Sequence, residues 1–545
     1  MNTVNRGGGR ALAGPPEPGA GSRPTPRVHS AAVAQTFRPP STQRIYDVCI
    51  VGSQLGGVVA GALLARRGLR VLHVAHGELG QGYVNDGYAL PWGPAAVPSP
   101  RHMPAAEAVL AELGLATDVS RALEPSDPDL QLLLPRHRVD VSRDPAVLRA
   151  ELRREWPEQA EALEAAFGQL SAHYDVSGFF LKAAPPLPPD GLTEKLAVRK
   201  ALKQAQNAPN APREAVGRTS VLAEHEGHEL VASLRTIARF LTYLDGPISP
   251  FSEVRLLGGA LRGTHRLAAG QGALRELIRR RIVESRGELK GGPGEPAVVR
   301  AIDLDESRIA AVHLADSTDT FVARAYVLAA DAAAIRALLP ADAAEARAAR
   351  VLGQIAPRRR LFTVNLVVKQ AALPPALGDN VFALRDPAGG DAIDNAVFLQ
   401  ILPARRDVKK GAGEVVTDER VICASAFIPA AASRDELSGA AARIREAVAD
   451  AIPFFERHLV SESAPVLDAP AHQQEGVRML SQPLYETELD GSLGITGLPV
   501  RAPWKNAFFA GREVVPGLGL EGEFFAGIQA AGHVAAALGR KDVLK

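Results

Sequence analysis

The chain has only two cysteines in 545 residues, Cys49 and Cys423. That excludes a disulfide framework and makes a reducing, cytoplasmic setting the default; no Cys/His spacing of the zinc type occurs, so no metal site is expected. Neither sign of charge is in excess, with 62 Lys and Arg against 61 Asp and Glu. A formal net charge of +1 offers no general attraction for nucleic acid. No uninterrupted apolar run reaches the roughly 18 residues that a membrane-spanning helix needs. Peripheral membrane contact stays open, because basic clusters occur at Arg358-Arg359-Arg360, Arg405-Arg406 and Lys409-Lys410, although such clusters are most often solvated surface. Also missing are the G-x-S-x-G elbow, H-E-x-x-H, and the P-loop and kinase signatures, so hydrolase, zincin and phosphoryl-transfer chemistries lose their usual carriers.

What is present describes a globular protein of two or three domains, with 46% apolar and 23% charged residues. Residues 1–43 are rich in Gly, Pro and Ala, carry five arginines and one acidic residue, and lack apolar periodicity. They read as a disordered extension, with a faint likeness to an organelle transit peptide.

The most informative segment runs from Tyr46 to Gly82. Val48 to Val51 is a continuous apolar run, as in a parallel strand buried on both faces. Gly52, Gly56 and Gly57 then supply a tight turn, and a helix is expected over about Gly56 to Arg66. Gly68 is its C-cap and Arg70 to Val74 the next strand. Amides at such a helix start, with the positive end of the helix dipole behind them, suit a pyrophosphate. The fingerprint G-x-G-x-x-G is imperfect, because Gln54 holds its middle slot after Ser53. Ala75 stands where an acidic residue would close the second strand; Glu78, three residues on, is the nearest carboxylate. The same turn without a ligand is the alternative at this point. At the other end, Asn506 to Ala531 repeats the pattern, with a strand at Ala507 to Ala510, a loop holding Gly511, Gly517, Gly519 and Gly522, and a helix from about Gly522. Two such elements at opposite chain ends suggest one long cofactor held from both sides.

Taken together, these blocks resemble the FAD-dependent oxidoreductases of the phytoene desaturase type, within the superfamily of amine oxidases and Rab GDP-dissociation inhibitors. The likeness also uses Gly80, Gly82, Asp86-Gly87-Tyr88 and Gly93-Pro94, the block Ala269 to Leu274 with a helix through Val283, and the β-rich run Ala297 to Asp331. The segment Pro516 to Ala535 is its most specific part. The resemblance implies an α/β fold in which a mixed α+β substrate domain is inserted into a Rossmann-like FAD-binding domain. The expected division is 44–140, 256–344 and 484–545 for the FAD-binding parts, and 141–255 and 345–483 for the substrate parts. It implies that Gly52, Ser53, Gly56 and Gly57 meet the FAD pyrophosphate, with Glu78 the nearest carboxylate for the ribose and Gly82 in the segment along the flavin side. Val299 would receive the adenine end, and Gly511, Gly517, Gly519 and Gly522 would lie beside the flavin. Arg512 and Glu521 are the candidate catalytic groups, among polar neighbours Glu513 and Glu523. Pairing of Arg512 with a carboxylate of its own loop is the alternative. The departures at Gln54, Ala75 and Arg512 all fall on cofactor contacts.

The implied substrate is a lipophilic small molecule, carotenoid-like in desaturases of this type, oxidised by hydride transfer to flavin. The other reading is a lipid- or protein-binding module of the GDP-dissociation-inhibitor kind with a degenerate FAD site. The oligomeric state is not legible. Within the inserted segments, helices are expected at Asp144 to Phe167, Glu226 to Leu244 and Ser433 to Val460, the last divided at Pro453. Strands are expected at Leu361 to Lys369 and Val421 to Phe427, and a linker at Pro185 to Arg218.

Overall fold

The computed structural model describes residues 43–544 except 77–81, 95–96, 209–210, 212–216, 268–270, 293–296, 341–346, 408–413, 470–480, 490, 492 and 541–543. The expected N-terminal extension and Glu78 thus lie outside the described residues, save for Gln43, which opens the first strand.

The strand Gln43–Val51 is buried throughout its second half, because it runs between two parallel neighbours, Val71–Val74 and Thr320–Leu328. Glu288–Lys290 adds on one side of this sheet. On the other, Arg308–Leu314 and Val299–Asp305 add antiparallel, and Ala507–Phe509 pairs in parallel with Tyr326–Leu328. The two ends of the described chain therefore meet in one seven-stranded sheet. The helix Leu55–Arg66 packs over it, and the helix Gly519–Ala537 crosses that helix. Gly527 allows the crossing, since a Cβ there would lie 2.6 Å from the Gly56 carbonyl oxygen.

A second sheet of ten strands is built on the long antiparallel pair Ile355–Lys369 and Glu414–Pro429, in register from Arg359 opposite Pro429 to Lys369 opposite Glu419. Alternation sorts its side chains. Phe362, Val364, Leu366, Val368, Ile422 and Ala424 meet the helix Arg434–Ala451 through Leu437, Ala440, Ile444 and Val448. Leu361, Phe382, Phe398 and Phe427 turn the other way, onto Phe240 of the helix Glu229–Leu241.

Several boundaries differ from the sequence reading. The strands Gly82–Asn85, Tyr88–Pro91, Leu130–Leu133 and Arg138–Val141, assigned above to the first FAD-binding part, pair in the second sheet, as does Pro483–Thr487. The expected helix Asp144 to Phe167 is two helices, Pro145–Glu155 and Ala160–Lys182. Trp156 precedes Pro157, and the proline ring pushes the residue before it out of the helical region. The linker contains a helix, Leu192–Gln206. The helix expected to reach Val460 stops at Ala451, short of Pro453, and Leu459–Ser463 is instead a strand beside Asn365–Val368.

A small three-stranded sheet joins Val97–Pro98, Thr264–Leu267 and Leu123–Pro125. Within it, desolvation and then the nearby Arg143, His102 and Arg101 push His265 down to about 4. A histidine held neutral in the fold but free to charge near pH 6.5 once unfolded favours the native state above that pH. Between about 6.5 and 4 the unfolded chain binds the extra proton, so native stability falls as the pH is lowered through that window. His265→Gln is expected to flatten this part of a plot of unfolding midpoint against pH.

Candidate functional site

The site lies where the strands Gln43–Val51, Thr320–Leu328 and Ala507–Phe509 end side by side, the edge at which α/β sheets hold ligands. Gly52 takes φ +109°, and a Cβ there would stand 2.2 Å from the Ala329 carbonyl oxygen. Its own amide reaches the Val74 carbonyl oxygen at 2.9 Å, while His73 beneath the turn is bonded through Nε2 to the Gly52 carbonyl oxygen at 2.9 Å. Gly57 presses on Ala329, and Gly56 sits against the Ala510 carbonyl oxygen. Ser53 Oγ is buried without a hydrogen-bond partner. The first turn and the C-terminal loop are thus in direct contact, as expected of a site held from both ends.

Two amides of the turn and the facing loop, those of Leu55 and Arg512, are engaged by the chain's own side chains. Leu55 N–H, at the start of the helix, donates to Glu523 Oε2 at 3.0 Å. Glu523 Oε1 accepts from Tyr243 Oη at 2.9 Å and pairs with Arg512 Nε at 3.4 Å. Gln54 Oε1 accepts from the Arg512 amide at 2.8 Å, and Gln54 Nε2 donates to Asp331 Oδ1 at 2.7 Å. Tyr485 Oη donates to the same Asp331 oxygen at 2.8 Å, and Arg360 pairs with the other at 3.4 Å. Glu513 accepts the Ala332 amide on both oxygens at 2.9 Å. Burial and then the Asp331 charge push Glu513 well above the usual carboxylate range. Burial and then Glu523 do the same to Tyr243 above the usual phenol range. At the end of the second strand, the Val299 amide donates to His76 Nδ1 at 3.0 Å.

The remaining residues singled out in the sequence fall as follows. Both Glu521 oxygens are taken by Arg255, each at 2.9 Å, and that guanidinium lies 3.8 Å from the Tyr174 ring centre. Arg512 pairs with Glu523, a carboxylate of the C-terminal segment that the structure places in the helix Gly519–Ala537 and not in the loop. Gly517, Gly519 and Gly522 bring the loop close to Ser252, to the Leu241 carbonyl oxygen and to the Val515 carbonyl oxygen. Gly82 pairs with Pro91 in the second sheet, away from the first turn's sheet. Tyr243, Asp331, Arg360, Tyr485, Arg255 and His76 carry the network without any local motif; no spacing or periodicity marks them. Among the described residues, no group of three or more His, Cys, Asp or Glu is arranged to hold a metal ion, and no helix is long and apolar enough to cross a membrane.

Tested against FAD, the main chain fits and the side chains do not. The turn, the helix start and the adjoining loop form the cradle, and the unpartnered Ser53 hydroxyl is a donor left over. Gln54, Glu523 and His76, however, already accept from the amides of Arg512, Leu55 and Val299.

Residues 50–113 match the family model of NAD(P)-binding Rossmann-like domains. No curated protein matches the chain in sequence. Among solved structures, it is similar to cyclohexylamine oxidase from Brevibacterium oxydans, at 19% identity, covering 91% of this chain and 100% of that one with a TM-score of 0.52. It is also similar to a putrescine oxidase variant from a redesign of cofactor binding, at 16% identity with the same coverage and TM-score. At such identities the likeness speaks for the fold alone, which is α/β with a Rossmann-like domain arranged as in those two oxidases.

Proposed function

We propose that the protein is an FAD-dependent oxidoreductase of amine-oxidase architecture that admits its cofactor only after Gln54, Glu523 and His76 withdraw from the cradle. The observation that supports this reading is the meeting of the two chain ends around a glycine turn with an orphaned Ser53 hydroxyl. Bound FAD would supply the two-electron acceptor; the chain's part is to place a substrate and exclude water. The substrate class in this reading is a lipophilic small molecule or an apolar amine, and the carotenoid-specific form has no support of its own in the site. A second reading, a lipid- or protein-binding module, has an observation in its favour: Glu523 and Gln54 already satisfy the Leu55 and Arg512 amides.

Titration with FAD separates the two. The first reading expects a saturable thermal shift and bound flavin absorbance, with stabilisation of about 2.7 kcal/mol when free FAD is roughly a hundred times its Kd. Anaerobic bleaching of that flavin by candidate amines or apolar lipids then identifies the substrate class. A colourless protein with no shift at any FAD concentration leaves the second reading in possession.

A further inference from the structure

The groups that close the groove are those best suited to imitate a diphosphate. A helix start offers unpaired amides and a positive field. The Glu523 carboxylate takes that place, on Leu55 N–H at 3.0 Å, with Arg512 as its counter-ion and Tyr243 as a second donor. It comes from the other end of the chain, 468 residues away. Gln54 stands in the slot that the dinucleotide fingerprint leaves bare, and its amide bridges the turn to the Arg512 N–H and to Asp331. The fit is close: the position of a Cβ on Gly511 lies 2.2 Å from Gln54 Oε1, so the amide fills the gap between turn and loop.

We infer that Glu523 and Gln54 form an internal clasp that occupies the diphosphate position, joins the two chain ends in the cofactor's place and sets the affinity for any adenine dinucleotide. This deepens the reading of the groove as a dinucleotide site and rests on it. The dinucleotide binds only the opened state, so its apparent affinity is reduced by the fraction of molecules in which the clasp is open. Opening breaks buried hydrogen bonds to a charged group, which are among the stronger ones in proteins. Once Glu523 is removed, Arg512 is left as a ready partner for the incoming diphosphate.

The test is a titration of FAD, followed by quenching of its fluorescence and by thermal shift, into wild-type protein, Glu523→Gln, Gln54→Ala and the double variant Gln54→Gly/Glu523→Ala. Circular dichroism checks that each is folded. The double variant is expected to bind FAD at least about 100-fold more tightly than wild type, since two charge-assisted contacts no longer compete. Each single variant is expected to fall between. If the double variant fails to fold, the single variants decide in the same way, because Glu523→Gln keeps the shape and removes the charge. Folded variants that bind FAD no more tightly than wild type overturn the clasp. Failure of the flavin reading shows differently: neither wild type nor any folded variant takes FAD at any concentration, whereas the clasp alone fails when wild type and variants bind FAD equally.

Discussion

Replacing Gly56 by leucine is expected to abolish soluble, folded protein, and even Gly56→Ala is expected to cost about 3 kcal/mol or more in denaturant unfolding. A Cβ at this position would lie 2.1 Å from the Ala510 carbonyl oxygen and 2.9 Å from the Glu523 carbonyl oxygen. Both are main-chain atoms held by the parallel sheet and by the C-terminal helix, so no rotamer change can relieve the contact. The helix Leu55–Arg66 would have to move off the strand ends, and its buried residues from Leu55 to Ala65 would lose their packing with it. A comparison within the same protein isolates the cause. Gly439 lies in the helix Arg434–Ala451 with open space around its Cβ position and no positive φ. Gly439→Ala is therefore expected to raise stability by about 0.5–1 kcal/mol through reduced chain entropy. A Gly56→Ala protein as stable as wild type would show that the chain ends are not packed as described.

Arg255→Leu is expected to lower stability by about 3–5 kcal/mol, because it strands a carboxylate where water does not reach. The side chains of Arg255 and Glu521 are 1% and 4% exposed, and the guanidinium also donates to the Tyr174 carbonyl oxygen and Ser177 Oγ. Replacing both members, Arg255→Leu/Glu521→Leu, is expected to recover much of the loss, since a buried ion pair is often replaceable by apolar groups of similar volume while half of one is not. Burial already raises Glu521 above the usual carboxylate range against the pull of Arg255. Without the arginine it rises further, and a raised carboxyl favours the fold at low pH and loses that contribution as the pH climbs through its folded-state value. The deficit of Arg255→Leu measured by urea unfolding is therefore expected to shrink as the pH is lowered. A single variant with no loss would mean that Glu521 has another partner.

The parts of the site legible in the sequence are those with a local cause. The apolar run Val48 to Val51, the positive-φ glycine at 52 and the C-cap at Gly68, φ +79°, follow from short-range geometry; the helix and the second strand lie within a residue of expectation, while the first strand begins five residues earlier, at Gln43. Gln54 was visible as a departure, but its partners were not. The boundaries that moved did so where a proline ended a helix, after Trp156 and before Pro453, or where short strands at 82–91 and 130–141 found partners in the other sheet. Strand partners over such separations are chosen by packing, which periodicity does not encode.

The chain's own order of residues determined that a strand, a glycine turn and a helix open a Rossmann-like domain, and that a second glycine-rich strand and helix close it, because each depends on neighbours within a few positions. Only the folded arrangement decided what fills the groove between them. Glu523 reaches Leu55 across 468 residues and Glu521 meets Arg255 across 266. A buried carboxylate takes whichever donors the fold brings within 3 Å, and separation along the chain says nothing of which those are.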